Sequence, residues 1–317
     1  METMSNLFEQ LRILCTYIPG LDLLASEPFL FRPLLMLVVL GTVGGIIGVV
    51  INLRCAEFNA EAMVHSVFPG IVAGAVYGGI DSIIPVASAV AVLAALALTY
   101  FSRQNVGRTS EAGTAVVLTS FFSFGIVLSL KKGDMSGQLE ALMFGRLLEV
   151  TDYRLTQALV VCLAAGVLVV LAWRGQIYCA FDRVGTAASG ISLLRADLVL
   201  NVAIAAVVAA ASSAVGSLLV IGYLVVPGAA ARLLAGRVRS MLAISIAVGI
   251  GGGYLGMLMM LIPAPRPVSP QASVALSVIA LYFVALAART ALRTDRTALR
   301  TGRKQTASAR TEFVEAH

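Results

Sequence analysis

Residues 198–231 run for over thirty positions without a charged side chain. A hydrocarbon core about 30 Å thick is crossed by roughly 20 apolar helical residues, so this run is too long for one ordinary span. We divide it near Ser212-Ser213 into two short helices. Further apolar stretches at about 33–53, 62–80, 83–101, 112–130, 155–173, 240–262 and 270–288 bring the crossings to nine. Composition points the same way: 59% of the 317 residues are hydrophobic and 13% charged, with a mean hydropathy of +0.92. Soluble domains carry about a quarter charged residues. The expected fold class is an all-α polytopic membrane protein with eight to nine transmembrane helices.

Alternating the nine spans puts Arg54, residues 102–111, 174–197, 232–239 and the C-terminal tail on one side, with 16 of the 23 Lys and Arg residues. Basic excess marks the cytoplasmic face, so the C-terminus is expected inside and the N-terminus outside. Three segments result: an N-terminal interfacial segment over 1–29, a transmembrane domain over 30–290, and a disordered basic cytoplasmic tail over 291–317. Residues 1–29 hold four acids against Arg12 alone, unlike the basic start of a cleavable signal. Leu7, Leu11, Leu14 and Ile18 recur there at helical spacing before Pro19-Gly20. The tail's basic charge suits an anionic lipid surface rather than nucleic acid.

His65 is the only histidine apart from His317, and Glu61 precedes it by one helical turn. Ionisable residues inside a membrane segment are costly and point by default to function. A carboxylate and an imidazole suit a divalent transition metal such as Mn²⁺, Fe²⁺ or Zn²⁺. Two ligands are too few for tight capture, but two protomers facing across a twofold axis would supply four. Pro69-Gly70 follows, and a kink or local break is expected there. A proline kink used for packing, with a histidine bonded to a neighbouring helix, is the other reading of the same residues. Gly41, Gly44, Gly45 and Gly48 leave small stripes on the first span, expected to pack beside the span carrying His65.

Other candidates carry less. Glu111 suits a solvated helix N-terminus, and Met257, Met259 and Met260 surround their helix as packing residues. The four cysteines, Cys15, Cys55, Cys162 and Cys179, form no C-x-x-C and suggest no disulfide framework. The sequence contains no G-x-x-x-x-G-K-[ST], so ATP energy must come from a partner. No nucleophile–base pattern favours an enzyme.

Three segments together resemble the ABC-type divalent metal permeases. Arg54 through Gly70 is similar to the family's L-R-G…G-D-A-L-S-H-A-x-x-P-G, with Glu61 at the usual Asp and Val64 at the usual Ser. Phe181-Asp-Arg-Val-Gly-Thr-Ala-Ala-Ser-Gly190 is similar to F-D-P-E-F-A-R-A-L-G, the coupling helix that docks on the ATPase. Phe181, Asp182, Ala188 and Gly190 match, while Arg183 stands at the proline and Thr186 at an alanine. Gly216 through Leu234 is similar to G-x-L-L-V-x-A-L-L-I-I-P-A-A-x-A-R-L-L.

The resemblance spans about 33–288 and implies a type II ABC-importer-like permease in a bacterial cytoplasmic membrane. By that resemblance Glu61 and His65 hold the transported Mn, Zn or Fe, and no cofactor is bound permanently. The implied partners are an ATP-binding subunit near 181–190, an extracytoplasmic metal-binding protein and a second protomer, identical or paralogous. A permease for a metal chelate or vitamin, and an ion-coupled carrier using Glu61 and His65 as a proton relay, are the alternatives.

Overall fold

The computed structural model describes the backbone of residues 2–104, 110–130, 144–262 and 269–315, and side chains within 6–292 of these. Among the described residues there are helices and no strands. They are α1 Glu2–Thr16, α2 Asp22–Ala25, α3 Pro28–Arg54, α4 Glu57–Ala73, α5 Ile83–Gln104, α6 Ser110–Leu130 and α7 Asp152–Leu171. Then follow α8 Trp173–Phe181, α9 Arg183–Ala188, α10 Leu193–Val215, α11 Ser217–Leu234, α12 Val238–Leu261 and α13 Pro270–Glu315. Nine of these, α3 to α7 and α10 to α13, are long and apolar enough to cross a membrane. The basic tail expected over 291–317 falls almost wholly outside the residues with described side chains.

Backbone contact at glycines sets the packing, because in lipid close approach replaces the hydrophobic drive between helices. The stripe on α3 does not face α4, as the sequence suggested. A Cβ on Gly41 would lie 2.7 Å from the Gly249 backbone of α12, and one on Gly48 would lie 2.5 Å from the Leu224 carbonyl of α11. α3 is therefore clamped between α11 and α12. Ser245 donates to the Gly45 carbonyl across the α12 contact at 3.0 Å. Asn52 donates to the Val225 carbonyl across the α11 contact at 3.1 Å.

α4 instead lies between α5 and α6. A Cβ on Gly70 would come 2.8 Å from the Ala87 Cα, and one on Gly74 would come 2.7 Å from the Ile83 Cα. On the other flank, Gly125 of α6 admits Phe68 and Pro69. Pro69 sits within a continuous α4 rather than at a break. The irregular turn falls after it, as a π-helical segment over Gly74–Gly78.

The long uncharged run divides at Gly216, three residues beyond the serines. Gly216 has φ +90°, which a side chain rarely adopts, and a Cβ there would strike the Phe144 carbonyl at 2.3 Å. Both demands fall on one residue, and only glycine meets them.

Before the bundle, α1 leaves Leu7, Leu11 and Leu14 exposed and buries Phe8, and Ile18 in the turn after it is exposed as well. Arg12 ties the helix down by donating to the Ala25 and Ser26 carbonyls at 3.0 and 2.9 Å. Its hydrogen bond to Glu9 lowers that carboxyl below the ordinary range.

Candidate metal path and coupling face

α4 is among the most enclosed of the spans, and its burial has one interruption. From Ala60 to Val72 every residue is buried except Glu61, which is exposed, and His65, which is half-buried. The two are one turn apart, so one face of α4 presents a carboxylate and an imidazole together. With a rise of about 1.5 Å per residue, His65 lies about 12 Å along the helix axis from Glu57.

α6 runs alongside α4 in the same direction, registered by Thr114 donating to the Asn59 side-chain oxygen at 3.0 Å. That register brings Phe122 against His65, ring centroids 5.2 Å apart and planes at 77°. Phe122 also meets Phe68 at 5.2 Å. An edge-on aromatic contact restrains the imidazole plane. α6 further exposes Thr119, Ser120 and Ser123 in mid-span, the Thr119 hydroxyl donating back to the Ala115 carbonyl at 2.8 Å. Nothing in the sequence singled these residues out, although the run Phe121-Phe-Ser-Phe124 is an aromatic cluster that could have drawn notice.

Among the described residues, no group of three or more His, Cys, Asp and Glu side chains converges within one protomer. Glu61 and His65 therefore offer at most a carboxylate and an imidazole from this chain, on an accessible face. Such a set can hold a divalent ion weakly, and can hold it well only when further ligands arrive from outside the chain.

The second predicted group lies on α8, α9 and the turn after them. Phe181 ends α8 and is 72% exposed. Asp182 caps α9, its Oδ1 accepting from the Gly185 N–H at 2.9 Å. A Cβ on Gly185 would clash with that carboxylate at 2.3 Å, which explains the glycine. Ala188 closes α9 and is exposed. Gly190 turns the chain away with φ +78°, the usual glycine exit from a helix. Asp182 and Gly190 therefore shape the projection, while the apolar groups it offers are Phe181 and two residues that the sequence reading did not single out. These are Tyr178, 59% exposed, and Val184, 82% exposed. A groove of about 480 Å³ opens between Tyr178, Phe181, Thr186 and Ile191.

The second group shares one end of the bundle with the start of α4. Asp197 at the start of α10 pairs with Arg54 at the end of α3 and with Arg183 at the start of α9. Asp197 is the only acid between Asp182 and Asp295, which the sequence displays openly.

Comparison with known proteins fits this architecture. The chain is 30% identical over 235 residues, 74% of its length and 80% of the other's, to the manganese transport system membrane protein MntC of Halalkalibacterium halodurans. It is 29% identical to the chelated iron transport system membrane protein YfeC of Yersinia pestis, over 67% of this chain and 70% of that one. Its fold superposes on PsaBC from Streptococcus pneumoniae, solved in complex with Fab, with a TM-score of 0.71 and 25% identity, covering 84% of this chain and 94% of the other. The model of the ABC 3 transport family matches residues 26–289, from the turn before α3 to the membrane part of α13, and the chain is a multi-pass membrane protein of that family.

Proposed function

We propose that this chain is the permease subunit of an importer that passes manganese or iron into the cytoplasm, energised by a separate ATPase. The observation that carries this is the accessibility of Glu61 and His65, one turn apart on one face, in the otherwise buried run Ala60–Val72. Their chemistry suits Mn²⁺, Fe²⁺ and Zn²⁺ alike; the relatives cited above are named for manganese and iron.

In this reading the metal is cargo. The Glu61 carboxylate supplies negative charge and the His65 imidazole, restrained by Phe122, supplies a nitrogen. A second protomer brings its own pair to the same face, giving a four-ligand site that exists only while the two are closed together. Release follows from separation, so holding stays weak enough for passage. ATP binding and hydrolysis on subunits docked at Tyr178, Phe181 and Val184 would drive that alternation. A metal-loaded binding protein would deliver the ion to the opposite face, with the C-terminus in the cytoplasm of a bacterial cell.

The name of the Yersinia pestis relative favours one second reading, passage of a chelated metal. A chelate brings its own ligands and does not need the pair. Cellular metal content distinguishes the two. Cells lacking their own importers would express the chain with its neighbouring transport genes as wild type, His65→Ala and Glu61→Ala, at equal membrane abundance. Mn or Fe should rise with wild type and with neither variant. Equal accumulation in all three would remove the ligand role and favour the chelate.

A further inference from the structure

The ionic cluster at Asp197 joins the docking helix to the elbow from which the metal-bearing helix starts. Arg54 is the fixed part. Its side chain is 5% exposed, pairs with Asp197 Oδ1, and donates to Gln176 Oε1 at 2.6 Å and the Ala196 carbonyl at 3.4 Å. Gln176, itself fully buried, donates to the same carbonyl at 2.8 Å. Arg183 is the exchangeable part. It is 53% exposed and reaches the other oxygen, Oδ2, at 2.8 Å.

Directly after Arg54 the chain turns through Cys55, a non-glycine residue with φ +51°, and α4 begins two residues later. A left-handed non-glycine residue stores strain and persists only where its surroundings hold it. Beside this elbow lies a cavity of about 170 Å³ lined by Arg54, Cys55, Asn59, Arg183, Asp197 and Asn201 among others. The cavity gives the cluster room to rearrange, which a close-packed node would lack.

We infer that Asp197 and Arg183 are positioning residues that carry displacement of α9 to the α3–α4 elbow, and so to Glu61 and His65. One carboxylate serves two guanidinium groups. Movement of α9 that withdraws Arg183 leaves Arg54 as the sole partner of Asp197, and the elbow is released from α9 without loss of its buried anchor. The exposed arm is the weak one, as screened pairs are, and the buried arm is the one that is costly to break. The elements linked are therefore ordered by strength in the direction that a relay requires. Arg183 occupies the position where the family pattern has proline, which donates no hydrogen bond, so this link is a property of the chain's own residues.

The inference rests on the permease reading above, and the test separates the two. The complete complex of permease, ATPase subunit and binding protein is placed in proteoliposomes. Metal moved per ATP hydrolysed is compared for wild type, Arg183→Ala, Arg183→Lys, Asp197→Asn and Arg183→Ala/Asp197→Asn, with the ATPase subunit retained in each complex quantified. Arg183→Ala leaves the buried Arg54–Asp197 pair intact and should retain the ATPase subunit and its hydrolysis. Metal per ATP should fall about fivefold, within the range by which residues between coupled sites alter coupling. Arg183→Lys should recover at least half of it, and the double variant should lose as much as Asp197→Asn alone. Wild-type metal per ATP in Arg183→Ala overturns the inference. Loss of the ATPase subunit from that variant overturns it too, since Arg183 would then be a docking contact. No ATP-dependent metal movement by wild type would instead remove the permease reading itself.

Discussion

Two glycines six residues apart on α11 should respond to the same substitution with opposite sign. A Cβ on Gly228 would lie 2.5 Å from the Gly48 carbonyl oxygen, 2.7 Å from its carbon and 2.6 Å from Asn52 Nδ2. Ordinary contact begins near 3.4 Å, so α11 must retreat from α3 by about 0.9 Å. Two of the opposing atoms are backbone and cannot rotate aside. Overpacking of this kind costs about 1–3 kcal/mol. The retreat also carries the Asn52–Val225 hydrogen bond, now 3.1 Å, beyond bonding range, which adds about 1 kcal/mol. Gly228→Ala should thus lose about 2–4 kcal/mol, a fall in Tm of about 3–6 °C for a chain of this size. Gly222→Ala meets nothing within 4 Å and should be neutral or gain up to about 1 kcal/mol from reduced freedom of the unfolded chain. The assay is thermal unfolding of the purified protein in one detergent, followed by thiol exposure of the buried Cys162 and Cys179. Equal Tm values for the two variants would refute the α3–α11 contact and the placement of Arg54 that depends on it.

Asp182→Ala removes the cap of α9 and should cost that helix about 1 kcal/mol, weakening recovery of the ATPase subunit while Tm of the permease stays within a degree or two. Phe181→Ser with Val184→Ser should reduce ATPase recovery more severely, because both side chains are exposed and apolar; unchanged recovery would remove the docking face. Thr99→Val strands the buried Asn201 amide that now donates to it at 2.9 Å and should destabilise by about 1–3 kcal/mol, with Thr99→Val/Asn201→Leu recovering much of the loss. In a Cys15→Ser background, exposed Cys55 should react with an impermeant maleimide only from the cytoplasmic side; labelling from outside would invert the orientation inferred from charge.

How far the sequence alone carries can be judged helix by helix. The nine spans were legible because crossing a bilayer demands long apolar runs, and that demand is local to each run. The pair Glu61 and His65 was legible for the complementary reason, since charge within such a run stands out and i,i+4 spacing sets the common face without any tertiary knowledge. Pairing between helices was not. The Gly41–Gly48 stripe announces close contact but carries no mark of its partner, and α11 and α12, some two hundred residues away in sequence, fill it. The division, expected near Ser212-Ser213, is fixed at Gly216 by the Phe144 carbonyl, which only folding brings near. The accessibility of Glu61 and His65, the Phe122 wall and the Arg54–Asp197–Arg183 cluster are likewise products of distant segments meeting. Hydropathy and helical period are properties of neighbours along the chain and can be read there. Close packing and ionic bridging depend on which surfaces meet, and that was decided only by the tertiary structure.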